Sequence, residues 1–498
     1  MEWCVTRNAR RVKRAEIPVF PFKTLHQQVR ACFTSYPRLL AVWAHPDNGG
    51  LSVYVALSND ERGKLAVASF FLNQLDDRHY PSLTCQIPEF HLFERELYED
   101  WGIVPDGHPW LKPVRYSHNR YDSSQTMANY PFFHIEGEAI HEVGVGPVHA
   151  GVIEPGHFRF CCAGEQVRHL EIQLGYQHRQ AQTLFLKGDI RDKAVLAESI
   201  VGDTVIGHAT AYAQAVETLA GYKLNSSIQF IRGIALELER IGVHLGDLAA
   251  IANDIAYLPG SSMFGVQRTR VINTSLAICG SRFGRGWIRP GGVLFGIDET
   301  EKELIKNNLT DIWIQVRQVA ATMFNNSGTL SRLEQTGVVT EETALSLGLV
   351  GMAARSSNLK RDARNNHPSG CYTEFPIPMR VLDSGDVYAR AWLRYLEISD
   401  SIHWILDILN HIPPVNPLVQ DIPLPAADSL TLSLVEGWRG EILHAVITDE
   451  TGQVICYKII DPSFHNWNAL AMSVRANGIS DFPLCNKSFN LSYCGFDL

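Results

Sequence analysis

Apolar and polar residues alternate in short bursts near the start of the chain and recur at helical spacing over most of the rest. Residues 39–43, 51–57 and 65–71 are apolar runs of strand length with partial alternation, which predicts three strands. Polar turn formers from Asn59 to Gly63 predict a hairpin loop between the second and third. Residues 87–100 keep helix spacing, with Pro88 near the start, where a missing N–H removes no helical hydrogen bond. Residues 116–140 are polar and then mixed, and read as a connector. From Glu142 the pattern changes. Strands are predicted around 153–162 and 166–174, followed by long helices over 194–222, 226–256, 301–325 and 389–409. Residues 430–435 and 443–448 return to strand-like alternation. The expected fold class is α+β: a small α+β N-terminal domain over 1–120, a connector over 121–141, and a mainly α domain over 142–498 with a β-hairpin at its entrance.

Composition narrows this picture. A chain of 498 residues exceeds one ordinary core. Its 45% hydrophobic and 19% charged residues are those of a globular protein. A net charge of −9 gives no nucleic-acid footprint. The opening residues hold no apolar stretch of signal-peptide length, and no run of about 18 apolar residues predicts a membrane span. Any membrane link is therefore expected through partner subunits. The ten cysteines include no Cys-x-x-Cys pair and read as reduced thiols rather than a disulfide framework. Cys279 reads as a small buried hydrophobe, and Cys161 and Cys162 as strand neighbours on opposite faces.

Several motifs then occur in order. Gly146, Pro147, His149, Glu154, Gly156 and His157 form an opening hairpin segment, and Glu171, Gly175, Tyr176 and His178 follow. Glu237, Arg240, His244 and Asp247 lie on a long helix, Gly280 to Gly292 is a glycine- and arginine-rich turn, and Glu436, Arg439 and Glu441 precede the last segment. In this order they resemble the large subunit of group 4 [NiFe]-hydrogenases, of the hydrogenase-4 and formate hydrogenlyase type, and the related 49-kDa-type subunit of complex I. Glu94, Arg95, Glu96, Asp100 and Gly102, with Gly107, His108 and Pro109, resemble the 30-kDa-type subunit of complex I. Fusion of the two units is similar to the hydrogenase-4 arrangement. The closing segment from Asn486 resembles the cysteine-lacking, energy-converting-hydrogenase-related branch.

The resemblance marks two windows, Glu198 to His208 and Asp461 to Asn466, where hydrogenases carry Cys-x-x-Cys pairs. This chain has Val201 and Thr204 in the first and Ser463 and Asn466 in the second. A nickel–iron centre needs soft thiolates, so no nickel–iron site is expected. In complex I the equivalent cavity takes a quinone beside a cluster held by another subunit. The resemblance thus implies a quinone-like cavity near His157, Val201, Thr204, Ser463 and Asn466. It also implies that His149 and His157 line the hairpin, and that Glu154 stands where group 4 hydrogenases carry a proton-transferring Glu. The quinone-binding tyrosine of complex I has no clear match, the nearest being Tyr176.

Glu237, Arg240, His244, Asp247 and Asp254 recur at three, four, three and seven residues and share one helix face. From the residues alone this is a solvated face with ion pairs or a buried structural network. The resemblance makes the helix interior and its charges candidates for proton coupling. Arg282, Arg285 and Arg289 read as partner contacts or structural pairs, and Glu94, Arg95 and Glu96 as interface or surface charges. The implied protein is the large, cofactor-free subunit of a membrane-associated, complex-I-like oxidoreductase. It would lie peripherally on the cytoplasmic face of the cell membrane. Expected partners are a 20-kDa-like small subunit with a [4Fe–4S] cluster, a ferredoxin-like subunit and antiporter-like membrane subunits. NAD chemistry belongs to the whole complex, because this chain has no dinucleotide motif. A hydrogenase with unusual ligands and a non-redox scaffold subunit are the alternatives.

Overall fold

The computed structural model describes residues 2–412 and 418–498. The three alternating segments form strands Arg38–Asp47, Gly50–Asn59 and Lys64–Asn73, antiparallel in that order. Cys4–Thr6 joins the free edge of Lys64–Asn73 antiparallel, and Val19–Pro21 joins it parallel. The helix His91–Trp101 follows a single 3₁₀ turn, Pro88–Phe90. It stops at Gly102, whose φ of +64° is the left-handed cap that glycine adopts without strain.

The connector is tied down by one buried carboxylate. Glu171 accepts from Lys112 Nζ at 2.6 Å, Tyr130 Oη at 2.9 Å and Phe133 N at 2.7 Å. Its strand, Gln166–Gln173, belongs to a three-stranded antiparallel sheet with His157–Ala163 and Ile140–Val145. The strand expected to begin near 153 begins at His157. Pro155 has no N–H for a ladder, and Ile153 bridges back to His149 in a tight turn.

Helices Ser226–Asp254, Glu299–Met323 and Val387–Ile408 fall where periodicity put them, with side-chain N-caps from Asn225, Asp298 and Asp386. The helix expected over 194–222 is broken into Ala194–Ala197 and Val205–Ala220. The intervening segment is held out of helix by its own carboxylates, Glu198 on Arg289 at 2.6 Å and Asp203 on Arg439 at 2.6 Å. A further helix, Leu258–Cys279, went unpredicted because Pro259, Gly260 and Gly265 interrupt its pattern. Proline is tolerated there because it occupies the first turn.

The C-terminal sheet runs Val454–Ile460, Glu441–Thr448, Ser429–Glu436 and then Arg11–Lys13, a strand from the other end of the chain. The segments 1–120 and 142–498 thus share a sheet and one continuous apolar core. Among the described residues no helix is long and apolar enough to cross a membrane.

Candidate functional site

The two windows meet at the centre of the larger unit. Asp461 caps helix Pro462–Ser473 by accepting from Ser463 N at 2.8 Å, and its other oxygen contacts His208 Nε2 of the first window at 3.1 Å. Val201, Thr204, Ser463 and Asn466 expose only 2%, 1%, 0% and 1% of their surfaces. A water-sized void beside them would leave more, so the expected cavity among these four side chains is not there. Ser463 Oγ accepts from Ser492 N at 2.9 Å, and the Asn466 amide closes on Val350 O and N, both at 3.1 Å. Thr204 Oγ1 accepts from Arg439 Nη1 at 3.1 Å. The C-terminal helix Tyr493–Asp497 fills the remaining space. A Cβ on Gly495 would sit 2.6 Å from the Asp461 carboxyl carbon and 2.9 Å from Val201 Cγ2. One aliphatic, two hydroxyls and an amide, three of them already hydrogen-bonded, do not fit a nickel–iron centre. Among the described residues no group of three or more His, Cys, Asp or Glu is arranged to hold a metal ion.

A hydrogen-bonded chain that sequence reasoning missed runs from the windows into the core. His208 Nδ1 meets His444 Nε2 at 3.1 Å, and His444 Nδ1 meets Tyr457 Oη at 2.8 Å. Burial acts to raise the Asp461 pKa, but the His208 hydrogen bond and charge and the Arg439 charge outweigh it and hold Asp461 below the usual range. An ionised Asp461 only accepts, so His208 Nε2 donates to it. Burial, and then the nearby His208, push the His444 pKa well below the usual range, in keeping with a neutral ring.

The hairpin tip differs in character. Val148, Val152 and Ile153 are 78%, 85% and 47% exposed. The same hairpin carries the half-buried His149, Glu154 and His157, of which Glu154 reaches the C-terminal segment and His157 packs on Phe132 with ring centroids 5.3 Å apart. His149 Nε2 donates to Gly156 O at 2.8 Å, His157 Nδ1 donates to Gly146 O at 3.1 Å, and Glu154 Oε2 accepts from Cys494 N at 3.4 Å. His157 Nε2 is buried without a partner. Tyr493 lies directly underneath, its Cε1 2.6 Å from where a Cβ on Gly156 would be. Burial pushes its phenol up to about 12. The structure thus puts a tyrosine at the hairpin base, supplied from the far end of the chain, while Tyr176 bonds Gln173 at 3.1 Å. No local motif could have announced Tyr493.

The charged face of the central helix is interior: Glu237, Arg240, His244 and Asp247 expose 0%, 1%, 0% and 6%. Glu237, Arg240 and His244 join Arg355, Asp362, Arg364, Glu397 and Glu436 in one ion-paired cluster. Asp247 pairs separately with Arg394 at 2.7 Å and accepts from Asn490 at 2.7 Å. Asp254 lies beyond, on Lys487 at 2.7 Å.

Glu94, Arg95 and Glu96 are buried rather than on the surface. Glu94 accepts from Tyr80, Ser82 and Thr84 side chains at 2.9, 2.6 and 2.6 Å, and Glu96 pairs with Lys458 of the other unit at 2.5 Å. Phe93 packs on Phe464 and His465 of the second window, with centroids 5.1 and 5.7 Å away. Arg289 and Arg285 are structural, bonding Glu198 at 2.6 Å and Ser199 at 3.2 Å.

Comparison with known proteins matches both units. Residues 12–122 match the respiratory-chain NADH dehydrogenase 30 Kd subunit family, and residues 254–431 match the 49 Kd subunit family. Neither match includes a window or the hairpin. Hydrogenase-4 component G of Escherichia coli is 26% identical over 464 residues, covering 90% of this chain and 80% of its own length. Membrane-bound hydrogenase subunit alpha of Pyrococcus furiosus is 29% identical over 371 residues, covering 70% of this chain and 85% of its own length. The C/D polypeptide of NADH-quinone oxidoreductase from Aeromonas salmonicida is 24% identical over 468 residues, covering 81% of this chain and 77% of its own length. A chain of the membrane-bound sulfane sulfur reductase, an archaeal respiratory membrane complex, shares the fold with a TM-score of 0.67 at 21% identity, covering 73% of this chain and all of that one.

Proposed function

We propose that this chain, a complex I 30-kDa-type unit fused to a 49-kDa-type, group 4 hydrogenase-like unit, passes electrons from a partner's [4Fe–4S] cluster to a quinone-like acceptor bound at its hairpin. That it is the large subunit of a complex-I-like assembly follows from the matches to both units and from relatives aligned over 90% and 81% of the chain. Relatives of this chain work in membrane-bound assemblies, and this chain takes a peripheral place among membrane subunits. The finer reading places it on the cytoplasmic face, with antiporter-like and ferredoxin-like partners and no nickel–iron centre.

One observation carries the choice of site. The windows are closed, whereas the hairpin tip exposes three aliphatic side chains in the same hairpin as His149, Glu154 and His157. An apolar tip over a polar base is the surface a small partner subunit would cover, enclosing an acceptor between them. Reduction of a quinone to a quinol consumes two electrons and two protons, so proton donors within hydrogen-bond reach are required. His157 Nε2 lacks a protein partner; with Nδ1–H on Gly146 O it accepts in the neutral ring, from a hydroxyl of the reduced acceptor, and donates to a carbonyl oxygen only in the doubly protonated ring. Glu154 is the carboxyl positioned to resupply protons.

The test is the purified complex assayed with soluble quinone analogues, beside its nickel content. Quinone-dependent turnover that falls steeply in His157→Ala, without nickel, is expected. Stoichiometric nickel would favour a working hydrogenase. Absence of quinone turnover in a complex that retains its cluster would leave the scaffold reading.

A further inference from the structure

We propose that Glu436, inside the eight-member ion cluster of the central helix, is the group that takes up and releases the cluster's extra proton. The inference rests on reading the chain as a proton-coupled subunit, but not on the identity of the electron acceptor. The argument begins with charge. The cluster contains four carboxylates, Glu237, Asp362, Glu397 and Glu436, against three guanidiniums, Arg240, Arg355 and Arg364, and the His244 imidazole. All eight expose 5% or less of their surface. A buried group of this composition is neutral only when it holds one extra proton, on His244 or on a carboxyl.

Hydrogen bonding decides where that proton sits. His244 Nε2 already donates to Glu397 at 2.9 Å, and its Nδ1 has no partner, so a second ring proton would be buried without an acceptor. Glu237 accepts from Arg240, Arg364, Tyr372 and Ser401, and Glu397 from Arg355, Arg240 and His244. Asp362 takes three bonds from Arg364 alone. Glu436 receives only two, from Arg355 Nη1 at 2.8 Å and Ala363 N at 2.9 Å, and shares that Arg355 nitrogen with Asp362 at 3.5 Å. It is the carboxylate least supported in its ionised form. Burial, and then the Asp362 charge, raise it to about 7, while Asp362 is held near 2. The other charges around it are accounted for. Glu441, its cross-strand neighbour, is paired with Arg38, and Glu217 is paired with Arg232.

A cavity of about 310 Å³, lined among others by Arg364 and Tyr372, with Gln229 half-buried and Lys223 exposed, lies beside the cluster, while the Glu436 side chain itself is fully buried. A proton delivered by hydronium, which leaves as water, converts the Glu436 carboxylate to a carboxyl and brings the cluster from one negative charge to neutrality. Loss of the proton restores the charge.

The assembled complex is titrated by infrared spectroscopy of protonated carboxyl groups. Expected is a carboxyl C=O band with a midpoint near pH 7 that shifts on ¹³C-glutamate labelling and is lost in Glu436→Gln. A spectrum of that variant with the band undiminished between pH 6 and 8 overturns the assignment. Should the variant fail to assemble, Glu436→Asp, which keeps the carboxyl, is expected to leave the band insensitive to ¹³C-glutamate labelling, and a band that still shifts overturns the assignment. Neither readout involves quinone, so failure of the acceptor reading leaves both intact.

Discussion

Replacing Arg38 by Met should weaken the whole chain, because this guanidinium joins the two units. Arg38 exposes 4% of its surface and bonds Glu441 of the C-terminal sheet at 2.8 and 3.0 Å, while its Nε lies 2.7 Å from Asp60 of its own unit. The substitution leaves two neighbouring carboxylates without the guanidinium that pairs both, with His367 2.9 Å from Asp60 as the remaining partner. Removing one partner of a buried pair costs about 3–5 kcal/mol. Spread over 498 residues, an unfolding entropy of roughly 2 cal/mol/K per residue makes this a fall in Tm of about 3–5 °C. The pH dependence has a definite sign. In the native chain burial acts to raise Asp60, but Arg38 and His367 outweigh it and hold it well below the usual carboxylate range. Its stabilisation is therefore full above the ordinary carboxylate pKa and lost only as pH falls toward the depressed value. In the variant Asp60 loses the guanidinium that offset its burial, so its pKa rises and stability is lost as pH rises. The deficit should accordingly grow from pH 5 to pH 8, and Arg38→Met combined with Glu441→Gln should recover part of it. Calorimetry at the two pH values is the assay. A fall below about 1 °C, or one independent of pH, would refute the reasoning.

Asn466→Ala should cost about 2–4 kcal/mol, since it strands the buried N–H and C=O of Val350, and an unaltered denaturation midpoint would show the amide to be dispensable. Glu239 is raised to about 8 by burial although it accepts from Ile206 N and Gly207 N, so the native chain should lose stability as pH climbs toward 8. Glu239→Gln should flatten that part of the stability–pH curve, and a slope equal to the native one would count against it. Val152→Asp, at a residue 85% exposed, should leave the melting temperature unchanged yet loosen the small partner subunit in gel filtration, and full retention of the partner would exclude the hairpin as its seat.

The sequence by itself determined the elements and the kinship. Strand alternation located the first sheet, and apolar spacing with Asn225, Asp298 and Asp386 located three long helices, because those patterns act through near neighbours along the chain. The absence of four thiolates at Val201, Thr204, Ser463 and Asn466 was also legible, since ligand chemistry depends on residue type. What those positions do instead was decided only in three dimensions. Ser463 meets Ser492, Asn466 meets Val350, and Gly495 lies on Val201, so a void expected from kinship is closed by backbone distant in sequence. The same holds for Tyr493 beneath Gly156 and for the cluster partners Arg355, Asp362, Arg364, Glu397 and Glu436. The central helix announced its charged face through a short repeat, but whether that face met water or counter-charges depended on residues more than a hundred positions away. Periodicity is a property of one segment, whereas burial and charge balance belong to the contact between segments, and only the folded chain supplies that contact.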